Sequence, residues 1–114
     1  MNVYDETNQI LKTYKIQANK SLGQNFLVRD EIVDKIIETA ELDKNDLVIE
    51  IGPGLGVLTN RLLQKCSNVV CIELDKRMIE ILQDRFKFNI DGTYSSKLEL
   101  INEDVLNIDL ENII

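Results

Sequence analysis

The sequence predicts an α/β fold in which a small parallel sheet is covered by helices. Three short apolar segments, at 47–51, 69–72 and 98–101, alternate with segments whose apolar residues recur at helical spacing. This alternation is typical of parallel strands joined by right-handed helical crossovers. The first apolar segment runs directly into 52–56, a loop with three glycines, and a helical pattern follows. A strand, a glycine loop and a helix in succession let a backbone approach a nucleotide closely.

The first third of the chain predicts two helices separated by a polar connection. The apolar residues of 5–16 recur at helical spacing, which predicts a short peripheral helix. No period is visible in 16–20, which predicts a linker, and 20–27 is too polar for a strand and predicts a connecting loop. A second helix is expected to begin with Asp30 as its N-cap. Its predicted buried face has five apolar side chains: Ile32, Val33, Ile36, Ile37 and Ala40.

The rest of the chain predicts three strands with helices between them. The segment 47–51 is almost entirely apolar, as expected of a parallel strand covered on both faces. Asp75 is the expected N-cap of the helix after the second strand, and 88–96 is expected to be a polar loop before the third. The predicted buried side chains of the two intervening helices are Leu58, Leu62 and Leu63 in the first, and Met78, Ile79, Leu82 and Phe86 in the second.

The composition excludes several kinds of chemistry. The chain of 114 residues has no histidine, which removes the commonest general base and any Ser-His or Cys-His arrangement. Two cysteines without histidine do not make a metal site. Cys66 and Cys71 are therefore predicted to be reduced structural thiols, and no bound metal is expected.

The charge distribution bears on possible partners. The formal net charge of the chain is −7. Residues 1–28 carry three lysines and two acids, a net charge of +1, so the net charge of residues 29–114 is −8. Nucleic-acid-binding chains usually have a basic face, so if RNA is the partner, most of its basic contacts are expected either in the N-terminal arm or outside this chain. No segment approaches the ~18 apolar residues of a membrane span, and the first residues do not resemble a signal peptide. A cytoplasmic protein is therefore expected.

Glycines or acids stand at the carboxyl end of each predicted strand, where ligands of doubly wound sheets bind. The loop glycines, Gly52, Gly54 and Gly56, would let a ligand approach the backbone. Glu73 ends the second strand, and its carboxylate could accept hydrogen bonds from both hydroxyls of a ribose. Asp104 follows the third strand and could accept from an adenine amine. A solvated acid at Glu73 and a turn residue at Asp104 are the structural alternatives.

The spacing of the loop distinguishes between nucleotide ligands. It is G-x-G-x-G, whereas a dinucleotide fingerprint would need a glycine at Val57. Glu50, just before the loop, is unfavourable for a pyrophosphate and acceptable for a cationic ligand. S-adenosylmethionine has a sulfonium, an ammonium and no phosphate, so these two features favour it over NAD. A phosphate-binding P-loop is excluded because no G-K-[ST] follows the glycines, and a purely structural turn remains the alternative.

Four separated motifs, in this order, resemble the 16S rRNA adenine N6,N6-dimethyltransferases of the KsgA type. The motifs are KSLGQNFL at 20–27, EIGPGLGVLT at 50–59, IELD at 72–75 and EDV at 103–105. The related Erm resistance methylases share Gln-Asn-Phe-Leu but usually lack the proline and leucine of the loop, which favours the housekeeping enzymes. The resemblance, over about residues 18–106, implies a Rossmann-like S-adenosylmethionine-dependent methyltransferase fold that is incomplete, with the first three parallel strands present and strand 4 onward missing.

The resemblance also implies roles for particular residues. In the family, the asparagine and leucine of the first motif contact S-adenosylmethionine, the two acids bind its ribose and its adenine amine, and the loop glycines lie against it. The cofactor-binding residues expected here are therefore Asn25, Leu27, Gly52, Gly54, Glu73 and Asp104. The implied organisation is an N-terminal helix and linker over 1–19, and the N-terminal part of the S-adenosylmethionine-binding domain over 20–114.

The catalytic motif of the family, Asn-[Leu/Ile]-Pro-Tyr, does not occur in this chain, whose only proline is Pro53. In the family that motif would hold a target adenine flipped out of the RNA. No catalytic residue is therefore expected here, and the chain alone is expected to be inactive in methyl transfer.

The implied partner is 16S rRNA or the small ribosomal subunit, and no membrane is expected. In this fold strand 4 would flank strand 1, so its absence predicts an apolar edge and self-association. The alternatives are a non-catalytic RNA- or ribosome-binding fragment and, less favoured by the loop spacing, an NAD-binding fragment.

Overall fold

A computed structural model describes residues 2–16 and 29–114. The chain divides into two compact units, Met1–Glu41 and Leu42–Ile114, and each is described by itself. The predicted connecting loop 20–27 lies outside the described residues, as does the boundary expected between residues 19 and 20. That division of the chain stays a prediction.

The first unit contains the helix α1 (Val3–Thr13), which is held at its start by a side-chain cap. The side chain of Asn2 accepts a hydrogen bond from the Asp5 amide at 2.8 Å, which satisfies one of the donors left open at a helix N-terminus. Because of this cap, α1 begins two residues before the predicted start. Its buried residues recur at helical spacing, and they are Val3, Thr7 and Ile10.

The second helix of this unit, α2 (Asp30–Ala40), corrects the prediction that Asp30 is its N-cap. Arg29 occupies the cap position and makes no capping side-chain bond. Asp30 is instead the first helical residue, and its Oδ1 accepts a hydrogen bond from the Val3 amide at 2.9 Å. The prediction was wrong because this long-range bond uses the carboxylate that a cap would have needed.

The predicted buried face of α2 is largely exposed. Val33 is buried, whereas 50% of Ile32 and 43% of Ile36 remain exposed. Ile32 and Ile36 line a shallow groove of about 620 Å³ along the helix. A helical pattern specifies which face is apolar, but burial needs an element that covers this face. Among the described residues, these two isoleucines remain half uncovered.

The second unit is a three-stranded parallel sheet in the order β1 (Leu47–Ile51), β2 (Asn68–Ile72), β3 (Lys97–Ile101). The last residues of the three strands, Ile51, Ile72 and Ile101, are partners in the register. The predicted α/β class with parallel strands is confirmed, and each strand lies within one residue of its predicted bounds. All three carboxyl ends stand at the same level, as a shared ligand site requires.

The connections of this unit contain three helices, α3 (Val57–Leu63), α4 (Lys76–Arg85) and α5 (Lys87–Ile90). Asp75 is the N-cap of α4 as predicted, since its Oδ1 accepts from the Arg77 amide at 2.8 Å. The short helix α5 was not predicted, because 88–96 looked like a polar loop. Two 3₁₀ turns follow the sheet, at Val105–Asn107 and Leu110–Asn112.

The core of the second unit lies around β2. The last four residues of β2 are buried, and so are the side chains predicted for α4, of which Phe86 directly follows the helix. On α3 the prediction was wrong for Leu58, which is half-buried, while Val57 and Thr59 are buried instead. In β1, an edge strand, Leu47 and Ile51 are 40% and 57% exposed, so the expectation of a strand covered on both faces was also wrong.

Over the described ranges, no helix is long and apolar enough to cross a membrane. The same residues contain no group of three or more cysteine or acidic side chains that could hold a metal ion.

Replacing Leu82 with alanine is expected to lower the free energy of unfolding by about 2–5 kcal/mol, because the fully buried side chain would leave a cavity in the core. Urea denaturation followed by circular dichroism measures the loss. Leu106, which is 88% exposed, supplies the matched control, since Leu106→Ala should change stability by less than about 0.5 kcal/mol. Equal losses in the two variants would contradict the packing described here.

Candidate functional site

The carboxyl edge of the sheet brings together the chain segments that follow β1 and β2. The Gly52 amide donates to the Ile72 carbonyl at 2.9 Å, and the Glu73 amide donates to the Ile101 carbonyl at 2.9 Å. The hydrogen-bond ladder therefore continues one residue past each strand end. This continuation fixes where the glycine loop begins and where the Glu73 side chain leaves the sheet.

The glycine loop is held in a conformation that other residues rarely adopt. Gly52, Gly54 and Gly56 all have positive φ, at 69°, 58° and 85°, in the left-handed region that glycine enters without steric cost. The Gly56 amide donates to the Pro53 carbonyl at 3.0 Å, which closes the turn. A Cβ at Gly52 would meet no atom of the described residues within 4 Å. Among these residues, nothing occupies the space in front of Gly52, where a ligand could approach the backbone.

Glu73 connects the end of β2 to this loop. Its carboxylate accepts from the Gly54 amide through Oε1 at 3.2 Å and from the Asp75 amide through Oε2 at 2.9 Å. The side chain is 9% exposed. Because each carboxylate oxygen has more than one acceptor site, Glu73 can still accept from ligand hydroxyls. The solvated acid considered from sequence is therefore not what the structure shows.

Asn102 is a residue of this edge that the sequence prediction missed. Its amide nitrogen Nδ2 donates to the Glu73 carbonyl at 2.9 Å and to the Leu74 carbonyl at 3.1 Å. These bonds fix the two peptide groups that directly follow the Glu73 side chain. The only signal in the sequence was a polar amide directly after a strand, which does not distinguish a positioning residue from a turn.

Asp104 lies three residues after β3 and makes local contacts. Its Oδ1 accepts from the Leu106 amide at 2.9 Å, which caps the first 3₁₀ turn. The Asp104 amide donates to Oε1 of Glu103 at 3.0 Å. The turn role considered from sequence is therefore present. One carboxylate oxygen is used in this cap, and the binding of an adenine amine by Asp104 stays a prediction.

Glu50 makes buried contacts that the sequence argument did not anticipate. Its Oε1 accepts from Oγ1 of Thr59 at 2.5 Å and from Sγ of Cys71 at 3.4 Å. Burial raises the pKa of the Glu50 carboxyl, the two hydrogen bonds lower it, and the nearby Glu73 charge raises it further. The expectation that Glu50 would favour a cationic ligand assumed an ionised and accessible carboxylate, whereas this group contacts α3 and β2.

Both cysteines are free and buried, as the sequence predicted. Burial raises the pKa of the Cys71 thiol, and the Glu50 charge adds to that effect. Burial also raises the pKa of the Cys66 thiol. A raised pKa keeps each thiol in its protonated, unreactive form.

The far end of the glycine loop packs directly against α4. A Cβ at Gly56 would come within 2.7 Å of Phe86 Cε2 and 2.8 Å of Leu82 Cδ2. Arg85 donates from its guanidinium to the Leu55 carbonyl and lies 4.8 Å from the centroid of the Phe86 ring. The last turn of α4 therefore packs against the end of the loop that leads into α3.

The structure thus brings three of the predicted site residues together, namely Gly52, Gly54 and Glu73. Asp104 follows the neighbouring strand at the same edge. Asn25 and Leu27 fall among the residues that the structure does not describe, so their predicted contacts remain untested.

The chain is similar in sequence and in fold to known proteins. The profile of the family described as ribosomal RNA adenine dimethylase matches residues 15–114. The chain is 45% identical over 103 residues to the Ribosomal RNA small subunit methyltransferase A of Halothermothrix orenii, an alignment that covers 90% of this chain and 32% of the relative. The chain therefore spans about a third of the length of this curated relative.

Two solved structures are similar at the level of both sequence and fold. One is a dimethyladenosine transferase from Plasmodium falciparum, with 35% identity and a TM-score of 0.63 over 73% of this chain and 29% of that chain. The other is the 23S rRNA methyltransferase ErmE, with 33% identity and a TM-score of 0.62 over 75% of this chain and 32% of that chain.

The raised pKa of Glu50 predicts a pH-dependent effect of the substitution Glu50→Gln. A carboxyl whose folded pKa is raised contributes stability that is present below its unfolded pKa and lost as the pH rises through the folded pKa. Glutamine cannot ionise, so the stability of E50Q relative to the native sequence should increase between about pH 4 and about pH 8.

Thermal unfolding of both proteins at the two pH values measures this difference. Glu111→Gln, which removes one negative charge from an exposed position, controls for net charge. A stability difference for E50Q that is the same at both pH values would contradict the buried environment of Glu50.

Proposed function

The chain belongs to the ribosomal RNA adenine dimethylase family, and from this we propose that it is the S-adenosylmethionine-binding part of an rRNA adenine N6,N6-dimethyltransferase. The proposed substrate is a pair of adjacent adenines in small-subunit rRNA, and the proposed partner is the small ribosomal subunit. The name of the relative from Halothermothrix orenii supports the small subunit. The large-subunit specificity in the name of ErmE belongs to a protein of lower identity.

One observation carries this proposal, namely the hydrogen bond from the Gly54 amide to the Glu73 carboxylate. The bond brings a glycine loop from β1 and an acid from β2 to one point at the carboxyl edge of the sheet. A nucleoside ligand needs both groups there, since the loop allows close approach and the acid accepts from ribose hydroxyls. Neither group alone distinguishes a ligand site from a structural turn.

The residues present at this edge fit S-adenosylmethionine. In the proposed site, Glu73 accepts from the ribose hydroxyls, and the ligand lies against the backbone at Gly52, where the described residues leave space. Asp104 would accept from the adenine amine, and Asn25 and Leu27 would complete the contacts. The cofactor supplies an electrophilic methyl group on its sulfonium. This chain would bind and orient the cofactor, and positioning of this kind can provide a large part of the rate of a transfer reaction.

The loop is less suited to NAD. The dinucleotide fingerprint would require a glycine at position 57, where this chain has Val57, a buried residue and the first of α3.

The chain also lacks histidine. Direct attack of an adenine amine on a methyl group is compatible with this absence, since the step relies on positioning.

A cytoplasmic location without membrane attachment completes the proposal. It is supported by the proposed substrate, because small-subunit rRNA is part of cytoplasmic ribosomes in bacteria.

Substituting Glu73 tests the proposed cofactor site. Glu73→Gln places an amide N–H₂ where one carboxylate oxygen now accepts, and it should weaken S-adenosylmethionine binding by about 1–3 kcal/mol, or roughly 5- to 150-fold in Kd. Isothermal titration calorimetry measures the affinity, with NAD as the control ligand. Glu99→Gln, at an exposed acid of β3, is the matched control and should leave Kd unchanged. Absence of binding to the unsubstituted chain, or equal affinity in E73Q, would contradict the proposal.

We also propose that this chain self-associates through the open edge of β1. The strand pairs with β2 on one side, and Leu47 and Ile51 are 40% and 57% exposed. An exposed apolar edge strand is a template for pairing with another chain. The sedimentation coefficient should therefore rise with concentration in analytical ultracentrifugation. The double substitution Leu47→Lys and Ile51→Lys should abolish that rise, and Leu106→Lys should not. A concentration-independent monomer would contradict the proposal.

A further inference from the structure

We propose that Thr59, acting through Glu50, is a positioning residue that holds the two ends of the glycine loop together and keeps the loop in its ligand-binding conformation. This inference rests on the proposed function only in naming the cofactor. The hydrogen bonds that support it are formed around the loop and do not involve a ligand.

The two residues lie on either side of the loop. Glu50 is the second-last residue of β1, and Thr59 is the third residue of α3. The Thr59 hydroxyl donates to Glu50 Oε1 at 2.5 Å, across nine positions of sequence. This distance is that of a short, well-formed O–H···O hydrogen bond. The bond therefore closes a ring that contains all of 52–56.

The surroundings of this bond exclude water and supply a third contact. Thr59 is fully buried and Glu50 nearly so. Cys71, on the central strand, lies 3.4 Å from Glu50 Oε1 and 3.8 Å from the Thr59 hydroxyl. A buried hydroxyl is costly unless it is hydrogen-bonded. Its presence on a helix face that could have been wholly apolar therefore requires a specific partner, which Glu50 provides.

The loop needs such a restraint because of its composition. Gly52, Gly54 and Gly56 all adopt left-handed conformations, and glycine loses more backbone freedom on ordering than any other residue. The loop is also hydrogen-bonded to β2, to Glu73 and to α4, but none of those bonds joins its two ends and sets the distance between them. The bond between Glu50 and Thr59 fixes that distance. It thereby places the Gly54 amide where Glu73 can accept from it.

The test removes the Thr59 hydroxyl and keeps the shape of the side chain. Thr59→Val keeps the branched side chain and removes the donor. In the 114-residue chain, hydrogen exchange followed by NMR should show the Gly54 and Gly56 amides exchanging about tenfold faster, while amides of β2 keep their rates. The Kd for S-adenosylmethionine should rise by a similar factor, roughly tenfold. Thr59→Ser, which restores the hydroxyl, should return both measurements to within about twofold of the original values.

Cys66→Ala is the matched control. Cys66 is a buried group of the same unit that donates to the Leu62 carbonyl at 3.3 Å at the other end of α3. This variant should lower the thermal stability and leave loop exchange and Kd unchanged. A role of Thr59 in packing alone would make Thr59→Val behave like Cys66→Ala. Unchanged loop exchange in Thr59→Val, or an equal acceleration in β2, would overturn the inference.

Two further cases are covered, namely that Thr59→Val does not fold and that the unsubstituted chain does not bind the cofactor. If Thr59→Val does not fold, Glu50→Met removes the acceptor of the same bond and keeps a side chain of similar length, and the loop amides should again exchange about tenfold faster. No acceleration in that variant would overturn the inference. If the unsubstituted chain does not bind S-adenosylmethionine while Thr59→Val still accelerates loop exchange, the proposed function fails and the positioning role of Thr59 stands.

Discussion

The hydrogen bond from the Gly54 amide to the Glu73 carboxylate is the contact on which the candidate site depends. It requires β1 and β2 to end at the same level, which the pairing of Ile51 with Ile72 provides. It also requires a carboxylate held in one orientation, which the Asp75 amide provides through the second oxygen. Register, helix start and loop conformation are therefore coupled at this point. A shift of either strand by one residue would separate the loop from its acid.

Much of the fold could be predicted because its determinants are local. Apolar runs indicate strands, and alternation with helical segments indicates parallel pairing, so β1, β2 and β3 were found to within a residue. Asp75 was predicted as a cap because capping depends on a side chain and the backbone of its own first turn. Where burial depends on what covers an element, the prediction failed. Ile32 and Ile36 belong to an apolar face that is half exposed, and Leu58 is replaced in the core by Thr59.

The types of residue in the candidate site could be predicted from the sequence, but only part of the contacts between them could. Gly52, Gly54 and Glu73 were expected at strand ends, and the register brings those ends together. Asn102 was missed because its two acceptors are backbone carbonyls 28 and 29 positions away, and no spacing rule identifies such a pair. The charge of Glu50 was used to choose between ligands for a similar reason, since its buried partners come from α3 and β2 and are not visible in a sequence pattern. Long-range polar contacts are set by the packed backbone, which a sequence pattern does not reveal.

Because both thiols are buried, their reaction with a reagent can report local opening of the folded chain. Cys66 lies in the connection between α3 and β2 and Cys71 lies in β2, and burial raises the pKa of both thiols. The thiolate is the form that alkylating reagents attack, so the native state is protected from them and transiently opened states are labelled. The rate at which each cysteine is modified therefore measures how often the helix and the sheet around the glycine loop open locally. No probe has to be introduced for this measurement.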